Sequence, residues 1–311
     1  MSIPQQELDI VVRSIQEHPE YFDTDFIYSS FHTLGLEVIQ DPFSKEIINK
    51  IIHALEHEQP YSVIRIGDGE ANILTYGHYP ETPYLNKWVF KKIIALQQDA
   101  FSLSESWMLQ LQELMLDSIK EADIIGVTGL WRPKKVSAKL IESMFIDNKY
   151  RGVSGHWRAI DYLLEIAPQS FFKTKTIASA HLYFSLLEHL SEILTSTKKL
   201  LVLSDKETVI SQLKMQHPDL TVEYIPVGSR SNKNNDSPDF LFQIKQQLPT
   251  DLSGCLCLIG AGPWTEVYCT WIKQRGGVAV DLGSGFDLLG GEITRPIHKL
   301  LNQSKLGKYI L

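Results

Sequence analysis

From Tyr61 onward, short apolar runs of strand character alternate with longer segments of helical spacing, and that alternation limits the folds open to the chain. The runs are Tyr61 to Ile66, Ala122 to Val127, Lys175 to Ala178, Leu200 to Ser204, Thr221 to Val227, Cys255 to Ile259 and Val278 to Leu282. Each intervening segment is long enough for a crossover helix. The pattern predicts a Rossmann-like α/β fold, a mainly parallel sheet with helices on both faces. In such a sheet ligands gather beyond the carboxyl ends of strands. The first sixty residues carry little strand signal, and Ile47, Ile48, Ile51, Ile52 and Leu55 form one helical stripe between Phe43 and Glu58. We therefore expect a helical extension over residues 1–58 and an α/β domain over 59–311.

At 311 residues the chain is long enough to bury a substantial core. Its net charge of −7 argues against broad nucleic-acid binding, which needs a basic face that releases counterions. No run approaches the roughly eighteen apolar residues of a membrane-spanning helix, and no cationic leader precedes an apolar segment. A cytoplasmic protein is expected. Three cysteines are too few for a disulfide framework. Cys255 and Cys257 share one face of an alternating run and read as buried thiols.

Arg65-Ile-Gly-Asp-Gly-Glu70 follows directly on the first strand-like run and packs a cation, two acids and two glycines into six residues. Gly67 and Gly69 fall where the chain must turn. Asp68 and Glu70 are two apart, which in extended backbone puts both carboxylates on one side, as hard oxygen ligands for Mg²⁺ or Mn²⁺. Arg65 suits bidentate pairing with a phosphate or orientation of an acid. The alternative is a tight turn whose charges are merely solvated.

Other motifs admit two readings each. His53-Ala-Leu-Glu-His57 matches a zinc-hydrolase pattern, yet both histidines fall opposite the apolar stripe and are expected to face solvent. Gly260-Ala-Gly-Pro263 stands between a strand and a helical pattern, the setting of a phosphate-binding helix start. Thr265 replaces the third glycine of a dinucleotide fingerprint, so nicotinamide binding has weak support. Val280-Asp-Leu-Gly-Ser-Gly285 resembles the first motif of S-adenosylmethionine-dependent methyltransferases, but too little chain follows it for the remaining sheet. Arg151-Gly-Val-Ser-Gly-His-Trp-Arg158 is either a sugar- or phosphate-binding group or a helix-entry loop with Trp157 in the core. His181 is a ligand contact, a general base or a structural histidine. The polar stretch 228–238, with Arg230 and Lys233, is a long loop, either a surface excursion or a ligand-ordered lid.

Taken together, Arg65-Ile-Gly-Asp-Gly-Glu70, Gly260-Ala-Gly-Pro263 and Val278-Ala-Val-Asp-Leu-Gly283 resemble the GT-D-fold glycosyltransferases, a bacterial family formerly catalogued as a domain of unknown function. The resemblance covers residues 59–295. It implies that Asp68 and Glu70 hold Mn²⁺ or Mg²⁺ against the diphosphate of a nucleotide sugar, expected to be UDP-linked. Arg65, Gly67, Gly69, Gly260, Gly262, Gly283 and Arg230 would serve the donor, and Asp68, Glu70 and His181 the chemistry. The implied activity is sugar transfer to a glycan, glycoprotein or other hydroxyl acceptor in polysaccharide biosynthesis, with homo-oligomerisation left open. The competing readings are the methyltransferase and a non-catalytic nucleotide-sugar-binding protein of a glycan-assembly complex. The helical extension and the loop at 228–238 depart from the family pattern.

Overall fold

The computed structural model describes residues 3–94, 104–132, 150–227 and 238–300. These hold eight strands, and every pairing given for them is parallel. Parallel neighbours need crossovers, and each consecutive pair of strands is separated by at least one helix. The family of folds expected from the alternating pattern is the one formed.

The chain divides into two compact units, each made of separate stretches of sequence. The first comprises Met1–Gln40, Arg65–Lys120 and Ile124–Ala180. Its strands β1 (Glu37–Ile39), β3 (Ile124–Val127) and β4 (Thr176–Ser179) run in the order β1-β4-β3. β4 is the middle strand, with Thr176 in register with both Glu37 and Ile124. All four residues of β3 and of β4 are buried, as expected of strands covered on both faces. β1 is a difference from the sequence reading. It has only three residues, exposed, half-buried and buried in turn, so it leaves no periodic signal in a helix-rich stretch.

The second unit comprises Asp41–Ile64, Glu121–Asp123 and His181–Leu311. β2 (Tyr61–Ile66) contributes its first four residues here, followed in the sheet by β8 (Val278–Asp281), β7 (Cys255–Ile259), β5 (Lys199–Ser204) and β6 (Thr221–Pro226). Central β7 is wholly buried, whereas edge strand β6 alternates exposed residues with half-buried ones and a buried Ile225. The helix Lys45–Glu56 packs in this unit through Ile47, Ile48, Ile51, Ala54 and Leu55, and Ser44 caps its start by accepting the Glu46 N–H at 3.2 Å. His53 and His57 lie on its exposed side, as their helical phase predicts. Cys255 and Cys257 are buried thiols with sulfurs 3.9 Å apart.

Candidate functional site

In the first unit the motif built on Arg65 lies at a strand end, but not in extended backbone. β2 ends at Ile66, Gly67 is the N-cap, and Asp68 opens the helix Asp68–Leu74. Residues two apart on a helix are separated by ~200°, so the backbone does not align the two carboxylates as an extended chain would. The Glu70 carboxylate instead reaches back, and its Oε2 accepts the Gly67 N–H at 2.9 Å. That is one half of a capping box, since glycine has no side chain to return the bond. A Cβ on residue 67 would stand 2.8 Å from the same oxygen, so this position is glycine to make room for the carboxylate. Arg65 donates to Ala180 O at 3.4 Å, just past the end of β4. Arg65, Asp68, Gly69 and Glu70 are all half-buried. Both acids occupy the first turn, where the helix dipole favours negative charge.

The helix that backs this turn is Tyr150–Asp161, which the sequence reading left as a binding group or an entry loop. Its apolar face requires close approach. A Cβ at Gly155 would lie 2.2 Å from Asp68 O and 2.7 Å from Asp68 Cα. Only glycine lets the two backbones meet at that spacing. Trp157 is buried against Tyr79, with ring centroids 5.2 Å apart.

Arg158 is among the largest fully buried side chains of the protein. Its Nη1 donates to Asn72 Oδ1 at 3.1 Å, while Asn72 Nδ2 donates to Asp68 O at 2.6 Å. Its Nη2 donates to Asn86 and to Thr82, and the guanidinium lies 4.8 Å from the Tyr79 ring centre. Burial lowers the Arg158 pKa to about 10, against the favourable pull of the Tyr79 phenol and of the Glu81 and Asp161 carboxylates. Tyr79 donates to Asp161 Oδ2 at 2.6 Å, and burial followed by the Asp161 charge raises its pKa. A layer of buried polar groups thus fixes the turn that carries Asp68.

Beside it, Thr128 follows β3 and donates its backbone N–H to Ile66 O at 3.3 Å. His156 lies buried next to it, with Nε2 2.9 Å from Tyr21 O and Nδ1 3.1 Å from Thr128 Oγ1. The first contact requires the Nε2–H tautomer, leaving Nδ1 as acceptor. Arg132 Nη2 stands 2.9 Å from Nε2 and 3.2 Å from Nδ1. Burial first, and the Arg132 charge second, lower the His156 pKa to about 3. The sequence reading missed Arg132 and Asn72 as site residues. The only sequence clue was that Thr128 and Arg132 closely follow a strand end.

In the second unit, two glycine loops adjoin each other. Leu282 and Gly283 N–H groups both donate to Ile259 O, at 2.9 and 3.1 Å. A Cβ at Gly260 would sit 2.5 Å from the Phe286 ring and 3.2 Å from Gly283 O. Gly262 and Gly283 have φ of 60° and 47°, which favours glycine, and no atom lies within 4 Å of a Cβ built on Gly262. Ala261 N donates to Thr265 Oγ1 at 2.9 Å, so the threonine in place of a third glycine holds the loop onto its helix Thr265–Lys273. His181 precedes the short helix Tyr183–Glu188 and stacks on Phe184 with centroids 6.0 Å apart. Arg230 and Lys233 lie outside the described residues.

Among the described residues no three His, Cys, Asp or Glu side chains group as a metal cage. An ion shared with a diphosphate needs only one or two protein carboxylates. No helix among the described residues is long and apolar enough to cross a membrane. No curated protein matches the chain. A solved structure described as "The highly conserved domain of unknown function 1792 has a distinct glycosyltransferase fold" aligns over 92 % of this chain and 98 % of its own, at 13 % identity and a TM-score of 0.42. The model of the GT-D fold-like domain matches residues 43–289, a span that contains Asp68, Glu70 and both glycine loops. With most of its length matched, the chain belongs to the GT-D fold-like family, and that membership supports a glycosyltransferase.

Proposed function

We propose that the protein is a metal-dependent glycosyltransferase that moves a sugar from a nucleoside-diphosphate donor, UDP-linked in the first instance, to a hydroxyl of a glycan or glycoprotein. The observation that carries this reading is the family match over a span whose first strand, ending at Ile66, leads straight into the helix turn that bears Asp68 and Glu70. What supports a hard divalent ion such as Mn²⁺ or Mg²⁺ is donor chemistry: two half-buried carboxylates in the first turn of one helix, of which an ion shared with a diphosphate needs one or both. A carboxylate has acceptor capacity to spare after taking one N–H, so the Glu70 cap is compatible with ligation. When bound, the ion would supply Lewis acidity and charge neutralisation for the departing diphosphate.

The chain's own residues do the rest. Asn72, Arg158 and Gly155 fix the height of the Asp68 turn, and Glu70 holds its entry. Arg65, which reaches Ala180 O, is assigned to add fixed positive charge for the diphosphate. The open backbone at Gly262 and the turn at Gly260 and Gly283 are assigned to the nucleotide, and Arg230 to the donor phosphates. His181 is assigned the proton of the acceptor hydroxyl.

The test is calorimetry of the full chain with uridine and guanosine diphosphates, with and without Mn²⁺, and with S-adenosylmethionine. We expect nucleotide binding that strengthens with Mn²⁺, and sugar release from the matching donor. Metal-independent binding of S-adenosylmethionine would contradict the proposal, and nucleotide affinity without turnover on any acceptor would reduce the protein to a binding module.

A further inference from the structure

Arg132 stands out among the cations of the first unit. It is half-buried in the fold, its Nη2 contacts only the imidazole of His156, and its guanidinium carbon lies 5.9 Å from the Phe22 ring centre. No carboxylate among the described residues pairs with it. Burial alone accounts for the lowering of its pKa, with no acid supporting its charge. A partly desolvated guanidinium facing a neutral ring is costly unless an anion completes it.

The surroundings fix this cation in place. His156 is clasped by Tyr21 O and the Thr128 hydroxyl. Gly129, with φ of 88°, brings the chain so close that a Cβ there would meet His156 Cε1 and Ile27 Cδ1 at 2.7 Å. The imidazole has one acceptor nitrogen, and when Arg132 donates to it the Thr128 hydroxyl is released to donate elsewhere. The same strand ends carry the acid motif: Thr128 N donates to Ile66 O, and Gly155, next to His156, abuts the backbone of Asp68.

We propose that Arg132 and the Thr128 hydroxyl form a phosphate-binding subsite next to Asp68, built for the diphosphate group of the donor. The assignment of that phosphate to a sugar donor rests on the function proposed above; the anion subsite itself does not. Arg132 offers a planar fork of N–H donors that matches two phosphate oxygens, while His156 and Phe22 hold its plane. His156 acts as a positioning residue and stays neutral.

The test is titration of inorganic pyrophosphate into the full chain without metal, for the wild type and for Arg132→Gln, Arg132→Lys and Asp68→Asn. Loss of a charged bidentate contact predicts roughly ten- to hundredfold weaker binding for Arg132→Gln. The lysine variant keeps the charge but not the fork, and an intermediate loss is expected. Asp68→Asn removes a like charge from beside the subsite and is expected to tighten metal-free binding, so weaker binding in that variant would overturn the placement next to Asp68. Wild-type affinity in both Arg132 variants, or no pyrophosphate binding by the wild type, would overturn the subsite. Should Arg132→Gln lose its melting transition, the lysine variant decides, and affinity equal to wild type overturns the inference. Sugar release by the wild type is measured alongside: its absence, with pyrophosphate binding still dependent on Arg132, would sink the transferase reading and leave the subsite standing.

Discussion

Two kinds of strand end carry glycine in this protein, and they use it for opposite purposes. After β2, Gly67 makes room for the Glu70 carboxylate, and the layer behind holds Asn72, Arg158 and Asn86. After β7, Gly260 makes room for the Phe286 ring, and the strand behind it is a run of buried thiols and aliphatic side chains. A glycine at a strand end is therefore not itself a ligand signal. What occupies the space left by its missing side chain decides. By that criterion the first unit holds the stronger chemical site, and Gly262, open on all sides, is the one glycine of the second unit's β7 loop with room for a ligand.

The comparison can be broken most severely at Arg158. Its removal leaves the Asn72 and Asn86 side-chain oxygens without their buried donor and opens a large cavity, and Arg158→Ala should cost about 3–5 kcal/mol in urea unfolding. A loss within surface-mutation range would mean that the polar layer does not support the motif.

Acid gives an effect of similar size. The His156 pKa is depressed to about 3 from an unfolded value near 6.5, so the native state resists a proton that the unfolded state accepts. This stability is full above about pH 6.5 and is lost as pH falls toward about 3, by about 1.4 kcal/mol per pH unit. His156→Gln should show a slope of stability against pH shallower by one proton in that window. Equal slopes in the two proteins would remove the buried neutral histidine from the account.

Gly155→Ala forces two backbones apart and should cost about 1–3 kcal/mol by thermal melting, with turnover falling as Asp68 shifts. Gly262→Ala meets no atoms and only the strain of φ 60°, so about 1 kcal/mol is expected. If the two variants melted alike, close packing of the Asp68 turn would lose its special place.

The sheet was legible because long β-branched runs such as Tyr61 to Ile66 and Cys255 to Ile259 have no helical phase, whereas Glu37-Val-Ile39 is too short to show one. The place of Asp68 and Glu70 at a strand end was legible too. Their local backbone was not, since glycines 67 and 69 suggest a turn, while Glu70 three residues after the N-cap and the apolar Ala71, Ile73 and Leu74 mark a helix start. Gly152 and Gly155 likewise disguised the helix Tyr150–Asp161, where Gly155 serves close packing and not flexibility. Beyond the place of Arg132 soon after a strand end, the roles of Arg132 and Asn72 were not legible, because they depend on partners 24 and 86 residues away.

The most direct test of the account is sugar release from the nucleotide-sugar donor, measured with Mn²⁺ for the wild type, Asp68→Asn and Glu70→Gln at equal folded fraction. Glutamine can still accept the Gly67 N–H, so Glu70→Gln keeps the turn while removing a ligand charge. The account predicts that turnover collapses by about a hundredfold or more in both variants while their melting temperatures stay near wild type. Unchanged turnover in both would contradict the assignment of Asp68 and Glu70 to a metal–diphosphate site.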